Sequence, residues 1–392
     1  MAVSTSKPSV AVSPGSWSQL AKLVVKGFND GLGQSVAVSG ETVVAAPYPD
    51  RSKLAYVFLG SADGWSNLLP VAGLGAPNSV EALLANVAID GDTIVIGTPS
   101  FEGSGPGYAY VYVKPASGWS NMFPTAILTP SGTNDGYFGE SVSISGDTIV
   151  VGDVAFETLG AAYVYVKPPT GWTNMTETAK LTASDGLVTD EFGASVSISG
   201  ATIAVGAPQT SRSTGKAYVF VQPAGGWTDM TETAKLAASD SQPGSGVGSS
   251  LSINDNNILV GAPAMENFSY PPGIAYVFTK PPTGWRDMTQ TAELSAADVR
   301  ADNRFGESVS ISGNSAAVGA PGRGTAPNDA GGGIYVFEQP AGGWQTISGS
   351  TVVTASDAHH FADFGTSVGM SGKVIVGGSD YFLNAVYVFG LP

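Results

Sequence analysis

The sequence predicts an all-β fold: a seven-bladed β-propeller of four-stranded blades, its ring closed by the N-terminal strand completing the last blade. Three observations lead there. Seven tryptophans stand at Trp17, Trp65, Trp119, Trp172, Trp227, Trp285 and Trp344, spaced 48, 54, 53, 55, 58 and 59 residues apart, so the chain is one array of repeats. Each copy holds several short runs rich in Val, Ile, Ser, Thr and Tyr, punctuated by Gly and Pro, and long helical periodicity is missing. The strand count is also offset. Seven copies of the first three strands are present, the last ending at Tyr387-Val388-Phe389, and no fourth strand follows before Pro392. A surplus fourth strand, Trp17 to Val25, lies at the opposite end, where it is placed to lock the seventh blade.

The third repeat shows how one blade is built. Phe138-Gly139 opens a strand running through Ser141-Val142-Ser143-Ile144-Ser145, whose alternation puts Val142 and Ile144 on one face and serines on the other. Small serines suit an innermost strand, where blades converge on an axis. Gly146-Asp147 is a two-residue turn signal into a second strand, Thr148 to Val151. A third strand follows at Ala162 to Val166, apolar and aromatic on both faces, as suits a strand sandwiched between neighbouring blades. Pro168-Pro169-Thr170-Gly171 then turns the chain into Trp172 and a fourth strand ending near Leu181. Charges at Glu177, Lys180, Glu232, Lys235 and Glu293 fall on the outer edges, where they discourage pairing with other chains. No spacer interrupts the array, which assigns residues 1–15 to an extension and 16–392 to one domain.

Composition narrows the function. With 17 Lys+Arg against 32 Asp+Glu the net charge is −15, ill suited to phosphate backbones or anionic lipid and compatible with neutral or cationic partners. Without cysteine there are neither disulfides nor thiolate metal sites. No stretch is long and apolar enough to span a membrane as a helix, and Met1 to Gly15 lacks the apolar centre of a signal peptide.

Phe192-Gly193, then Gly206-Ala207-Pro208, then Gly215-Lys216-Ala217-Tyr218-Val219-Phe220, resembles the FG-GAP repeat, which builds the seven-bladed propeller of integrin alpha subunits and of many bacterial surface proteins. The pattern recurs as Phe305-Gly306 with Gly319-Ala320-Pro321 and as Val247-Gly248 with Gly261-Ala262-Pro263. It drifts at Leu83-Leu84 and at Asp153. The resemblance implies an extracellular or surface-exposed binding or adhesion module. It also departs from many FG-GAP repeats, in which a calcium loop joins the first two strands. Here short hairpins such as Ser145-Gly146-Asp147 and Ser199-Gly200-Ala201 stand instead, with too few oxygens for Ca²⁺. Neither a metal nor a cofactor is expected; Ile89-Asp90-Gly91-Asp92 and Asn254 to Asn257 come nearest to a metal loop.

Loop lengths point to a binding face. The spacing from the third-strand aromatic to the next Trp is 7 in six repeats, whereas the connection between second and third strands runs from 8 to 14. Uniform turns read as structural; variable loops on a rigid scaffold are where binding concentrates. The expected ligand contacts are Tyr48, Phe101, Tyr108, Phe268, Tyr270, Arg323, Asp329 and Tyr381, because aromatic rings beside polar groups suit a carbohydrate or protein ligand. Asp30, Asp135, Asp190, Asp302 and Asp363 precede the FG-like positions and read as turn formers or as a negative funnel. His359 and His360 sit near Asp357 and Asp363 without an identifiable nucleophile, so no catalytic residue is assigned. Two alternatives to a binding module stay open: a structural subunit of a surface layer or filament, and a polymer-degrading hydrolase or lyase.

Overall fold

The computed structural model describes residues 17–26, 31–48, 53–61, 64–66, 68–77, 84–100, 106–132, 137–154, 159–208, 214–264, 272–324, 331–359, 362–379 and 383–391. Seven antiparallel sheets form a ring in which the first strands of neighbouring blades touch in cyclic order. The fourth blade is representative: Ser195–Ser199 lies innermost, followed outward by Thr202–Ala207, Lys216–Val221 and Ala234–Ala237. In the seventh, Ser367–Ser371, Val374–Gly378 and Ala385–Gly390 come from the C-terminal end, and Ser18–Val24 adds the outer strand with Lys22 opposite Tyr387 and Leu23 opposite Val386. The two ends of the chain therefore close one blade, as the strand count predicts.

The core lies between blades. One cluster joins Val164 and Leu181 of the third blade to Phe192, Val196, Ile198, Ile203, Tyr218 and Trp227 of the fourth repeat. Each fully buried aliphatic or aromatic side chain here contributes about 1.5–3 kcal/mol relative to exposure. Motif phenylalanines meet the third strand edge-on: Phe192–Tyr218 centroids are 5.3 Å apart and Phe305–Tyr335 5.2 Å. Six tryptophans are buried, and Trp65 is half-buried.

The seams between blades explain the glycine motif. A β-carbon on Gly152 would collide with the carbonyl oxygen of Gly193, the motif glycine of the following blade. The same collision links Gly97 to Gly139, Gly206 to Gly248, Gly261 to Gly306, Gly319 to Gly365 and Gly378 to Gly33. Gly193 has φ +99°, which L side chains rarely adopt. The FG glycine of one blade and the GAP glycine of the blade before it are thus two halves of one close backbone contact.

Serines of the inner strands complete the seam. Ser195 Oγ donates to the Gly248 carbonyl at 2.7 Å, and Ser197 and Ser199 accept from Ile253 and Asp255 N–H of the next blade. Ser141, Ser143 and Ser145 make the equivalent bonds to Gly193, Ile198 and Gly200. Inner-strand edge groups that would otherwise lack partners are satisfied by the neighbouring blade.

At the rim the structure differs from expectation. From Trp65 to Trp344, the residues just after each Trp do not extend their own blade's fourth strand; that strand in the third blade is only Ala179–Thr182. Met230-Thr231 instead lies parallel to Leu181-Thr182 of the preceding blade, and Leu68, Met122, Met175 and Ile347 make the same kind of bridge to Leu23, Leu74, Leu128 and Leu294. Polar residues reinforce it: Asp229 accepts from Lys180 N–H, and Glu232 accepts from both Ser184 N–H and its hydroxyl. Six of the outer edges are therefore bridged by the next repeat, so Glu177 and Glu232 act as inter-blade acceptors rather than only as edge charges.

Candidate functional site

Antiparallel order places the hairpins between first and second strands, and the Pro-to-Gly turns before Trp119, Trp172, Trp227, Trp285 and Trp344, on one side of the ring. The connections between second and third strands and those between blades share the other. Pro168 O accepts from Gly171 N–H and Pro223 O from Gly226 N–H, so the first side is built of one repeated tight turn. On it, Asp147 pairs with Lys167 and Asp92 with Lys114. Adjacent hairpin residues such as Ser145 and Thr148, or Asn254 and Asn257, are paired directly, leaving two-residue turns.

The other side carries an inter-blade loop of repeated design. Asp185, Asp240, Asp298 and Asp357 each stand 7 residues before Phe192, Val247, Phe305 and Phe364. Each carboxylate accepts from a third-strand tyrosine of the following blade: Tyr218, Tyr276 and Tyr335 at 3.0 Å, and Tyr387. Burial raises all four hydroxyls, Tyr335 to about 12. Burial works against ionisation of Asp185, but hydrogen bonds from Lys235, Lys216 and Tyr218 outweigh it and hold the carboxyl at about 2. These clips fix the loop's start.

A second clip fixes its tip. Leu187 N–H donates to Asp190 Oδ2 at 3.0 Å, while Asp190 N–H returns to the Leu187 carbonyl at 3.0 Å. Ser245 closes the same turn on Gln242, and Asn303 closes it on Arg300; Ala362 N–H bonds the His359 carbonyl. The residue just after this turn is left-handed in every copy, Glu191, Gly246, Arg304 and Asp363. The outcome is four exposed side chains presented by one backbone device: Leu187, Gln242, Arg300 and His359.

Among the described residues, the third-to-fourth loop is the most apolar of the inter-blade loops. Leu187 is 65% exposed, Val188 41% and Leu159 50%. Leu159, from the second-to-third connection, leans over this loop, its Cδ2 lying 3.9 Å from where a Gly186 β-carbon would stand. Beside them sit Glu191 and Glu140; burial, with Glu191's charge adding, pushes Glu140 up to about 7, and burial raises Glu191 as well.

Of the expected ligand contacts, Phe101, Phe268, Tyr270, Asp329 and Tyr381 lie outside the described residues, as do Asp30, Asp135 and His360. Tyr48 is half-buried, its N–H bonded to the Gly31 carbonyl. Tyr108 is half-buried and stacks on Tyr110 at 5.8 Å. Arg323 stacks on Tyr335, donates to its hydroxyl at 2.9 Å and reaches Asp298 at 3.2 Å, so it braces the Tyr–Asp clip. The structure does not bring these three together: they belong to the first, second and sixth blades. Asp190 is a turn former, Asp302 accepts from Asn303, and Asp363 pairs with Arg304. Among the described residues no group of three or more His, Cys, Asp or Glu is arranged to hold a metal. The presented residues escaped sequence reasoning, although the constant 7-residue interval with changing residues inside it was a readable signal.

The FG-GAP repeat family matches four stretches, residues 124–165, 175–220, 230–278 and 288–337. Each begins near the rim segment of one repeat and ends in the third strand of the next, so the sequence repeat is offset from the blade. No curated protein matches the chain. The chain thus carries four FG-GAP repeats within a seven-bladed β-propeller whose motif glycines meet at six seams.

Proposed function

We propose that the chain is a binding module, working outside the cell or at its surface, that recognises a protein ligand through the face bearing the inter-blade loops. One observation carries the reading: a single turn, closed by the same two hydrogen bonds, presents Leu187, Gln242 and Arg300 to solvent. The fold needs the turn and the Asp–Tyr clip, not the identity of the presented side chain. Changing chemistry on a constant backbone is what a recognition surface requires. Leu159, Leu187 and Val188 near Glu191 favour an apolar segment flanked by Lys or Arg. The carbohydrate alternative rests on Phe101, Phe268, Tyr270 and Tyr381.

Panning a displayed random-peptide library on the purified chain, with a glycan array in parallel, tests this. Basic-apolar peptides should be enriched, and Leu187→Ser should weaken them by about tenfold or more, the cost of one buried apolar contact. Peptides unaffected by Leu187→Ser and by Arg300→Ala, or defined glycan binding with no peptide enrichment, would overturn the protein reading.

A further inference from the structure

A different surface departs from the repeat. Three residues before the buried rim leucine, blades two to five carry Thr125, Thr178, Thr233 and Thr291. Their hydroxyls accept the N–H of Val113, Val166, Val221 and Thr279 at 2.9–3.1 Å. The seventh and first blades place Leu20 and Val71 there, 40% and 45% exposed, which cannot accept that bond. Five residues before the leucine, Thr176, Thr231 and Thr289 of blades three to five become Leu69 and Phe123 in blades one and two, 45% and 67% exposed. Because each rim segment lies along the preceding blade, Leu69 flanks the same outer strand as Leu20, and Phe123 the strand that follows Val71.

Charge changes with them. The segments 17–24, 64–74 and 118–128 contain no carboxylate, whereas 171–182, 226–237 and 284–294 contain Glu177, Asp229, Glu232, Asp287 and Glu293. At the position of Glu177 and Glu232, the first two blades have Pro70 and Pro124.

We propose that this sector of the rim is a self-association surface and that its occupant is a second copy of the chain. Two copies each carrying −15 repel over most of their surfaces. They approach at least cost where carboxylates are missing and apolar side chains stand exposed. Pro70 and Pro124 offer no N–H, so contact is by side-chain packing rather than strand addition. A single sector per ring gives an isologous, closed dimer rather than an open filament.

Sedimentation velocity on the full chain over a concentration series tests it. A monomer–dimer equilibrium is expected with a dissociation constant on the order of 1–100 µM, strengthened by added salt that screens the repulsion. L69T/V71T/F123T, which installs threonine at positions where other blades carry it, should weaken association at least about tenfold and leave melting unchanged. Phe123→Thr alone, at a largely exposed site, gives a smaller loss without risk to folding. Leu187→Ser, on the other face, should leave association intact. A wild-type chain monomeric throughout, or variants that associate like wild type, would overturn the proposal.

Discussion

Six seams of this ring are closed by a pair of glycines, and the seam between the first and second blades is not. There Ala46 stands at the position of Gly152 and Gly206, opposite Ser35 as they stand opposite Ser141 and Ser195. The following blade carries Leu84 where the others have the FG glycine. Both glycines of one contact are absent together, as expected of two halves of one close approach. Hydrogen bonding shifts accordingly: Ser35 accepts from Val87 N–H, whereas its counterparts donate to a glycine carbonyl. At the next seam Asn86 donates to the Glu140 carbonyl in place of serine. The motif is thus a close backbone approach that this seam exchanges for side chains at both ends.

The largest test concerns the seam made by joining the chain ends. Deleting residues 1–25 removes Ser18–Val24, uncovers Tyr387 and Val386, and breaks the Lys22–Asp357 ion pair and the Gln19–Ser356 bonds to the sixth repeat. Aggregation, or loss of most of the stability, is the expected outcome. A truncated chain with an unchanged melting temperature would mean that Ser18–Val24 is dispensable to the ring.

The glycine comparison is sharpened by two substitutions in equivalent places. Gly206→Ala forces a β-carbon against the Gly248 carbonyl and Ser195 Oγ. A cost of about 3 kcal/mol or more is expected, since backbone rather than a flexible side chain must move. Ala46→Gly, at the seam already without glycines, should cost only about 1 kcal/mol from lost contact and added unfolded-state entropy. Denaturant titration of both variants decides; equal losses would break the two-class description of the seams.

Much of this was readable beforehand, and the limits are physical. Strand alternation, turn glycines and the missing last strand are local signals, so blades, hairpins and ring closure follow from them. That Gly152 and Gly193 touch is not local: they lie in different blades and meet only through the assembled ring. The parallel bridge of Met230 to Leu181 is equally hidden, because two paired residues carry no periodicity. For the candidate site, attention fell on aromatic residues in the longest loops, while the presented Leu187, Gln242 and Arg300 depend on hydrogen bonds that only coordinates reveal.

A smaller effect should come from the third-to-fourth seam through pH. Glu140's carboxyl is raised to about 7 from an unfolded value near 4.5, first by burial and then by Glu191. Below the unfolded value both states hold the proton. As pH rises from 4.5 to 7 the unfolded chain ionises first, so this group's contribution to stability declines and then levels off. Glu140→Gln should flatten that decline and leave the protein more stable at pH 8, by on the order of 1–3 kcal/mol. Asp185 acts in a separate window, its contribution being lost as pH falls from 3.8 to 2. Stability profiles of wild type and Glu140→Gln that run parallel between pH 4.5 and 7 would show that Glu140 is not buried against Glu191 as described.

The smallest expected effect concerns calcium, and it asks whether the hairpin side is as uniform as the seams above it. Three hairpin carboxylates are already engaged: Asp90 accepts from Gly146 N–H of the next blade, Asp92 pairs with Lys114, and Asp147 pairs with Lys167. Two-residue turns at these places bring too few oxygens to one point for a cation that wants six to eight. A cation that binds only the folded state raises stability in proportion to its occupancy. Melting in millimolar calcium and in chelator should therefore agree to within about a degree. A shift of many degrees would assign a cation site to this protein, and melting Asp90→Asn and Asp147→Asn in both buffers would then show whether the hairpins supply it.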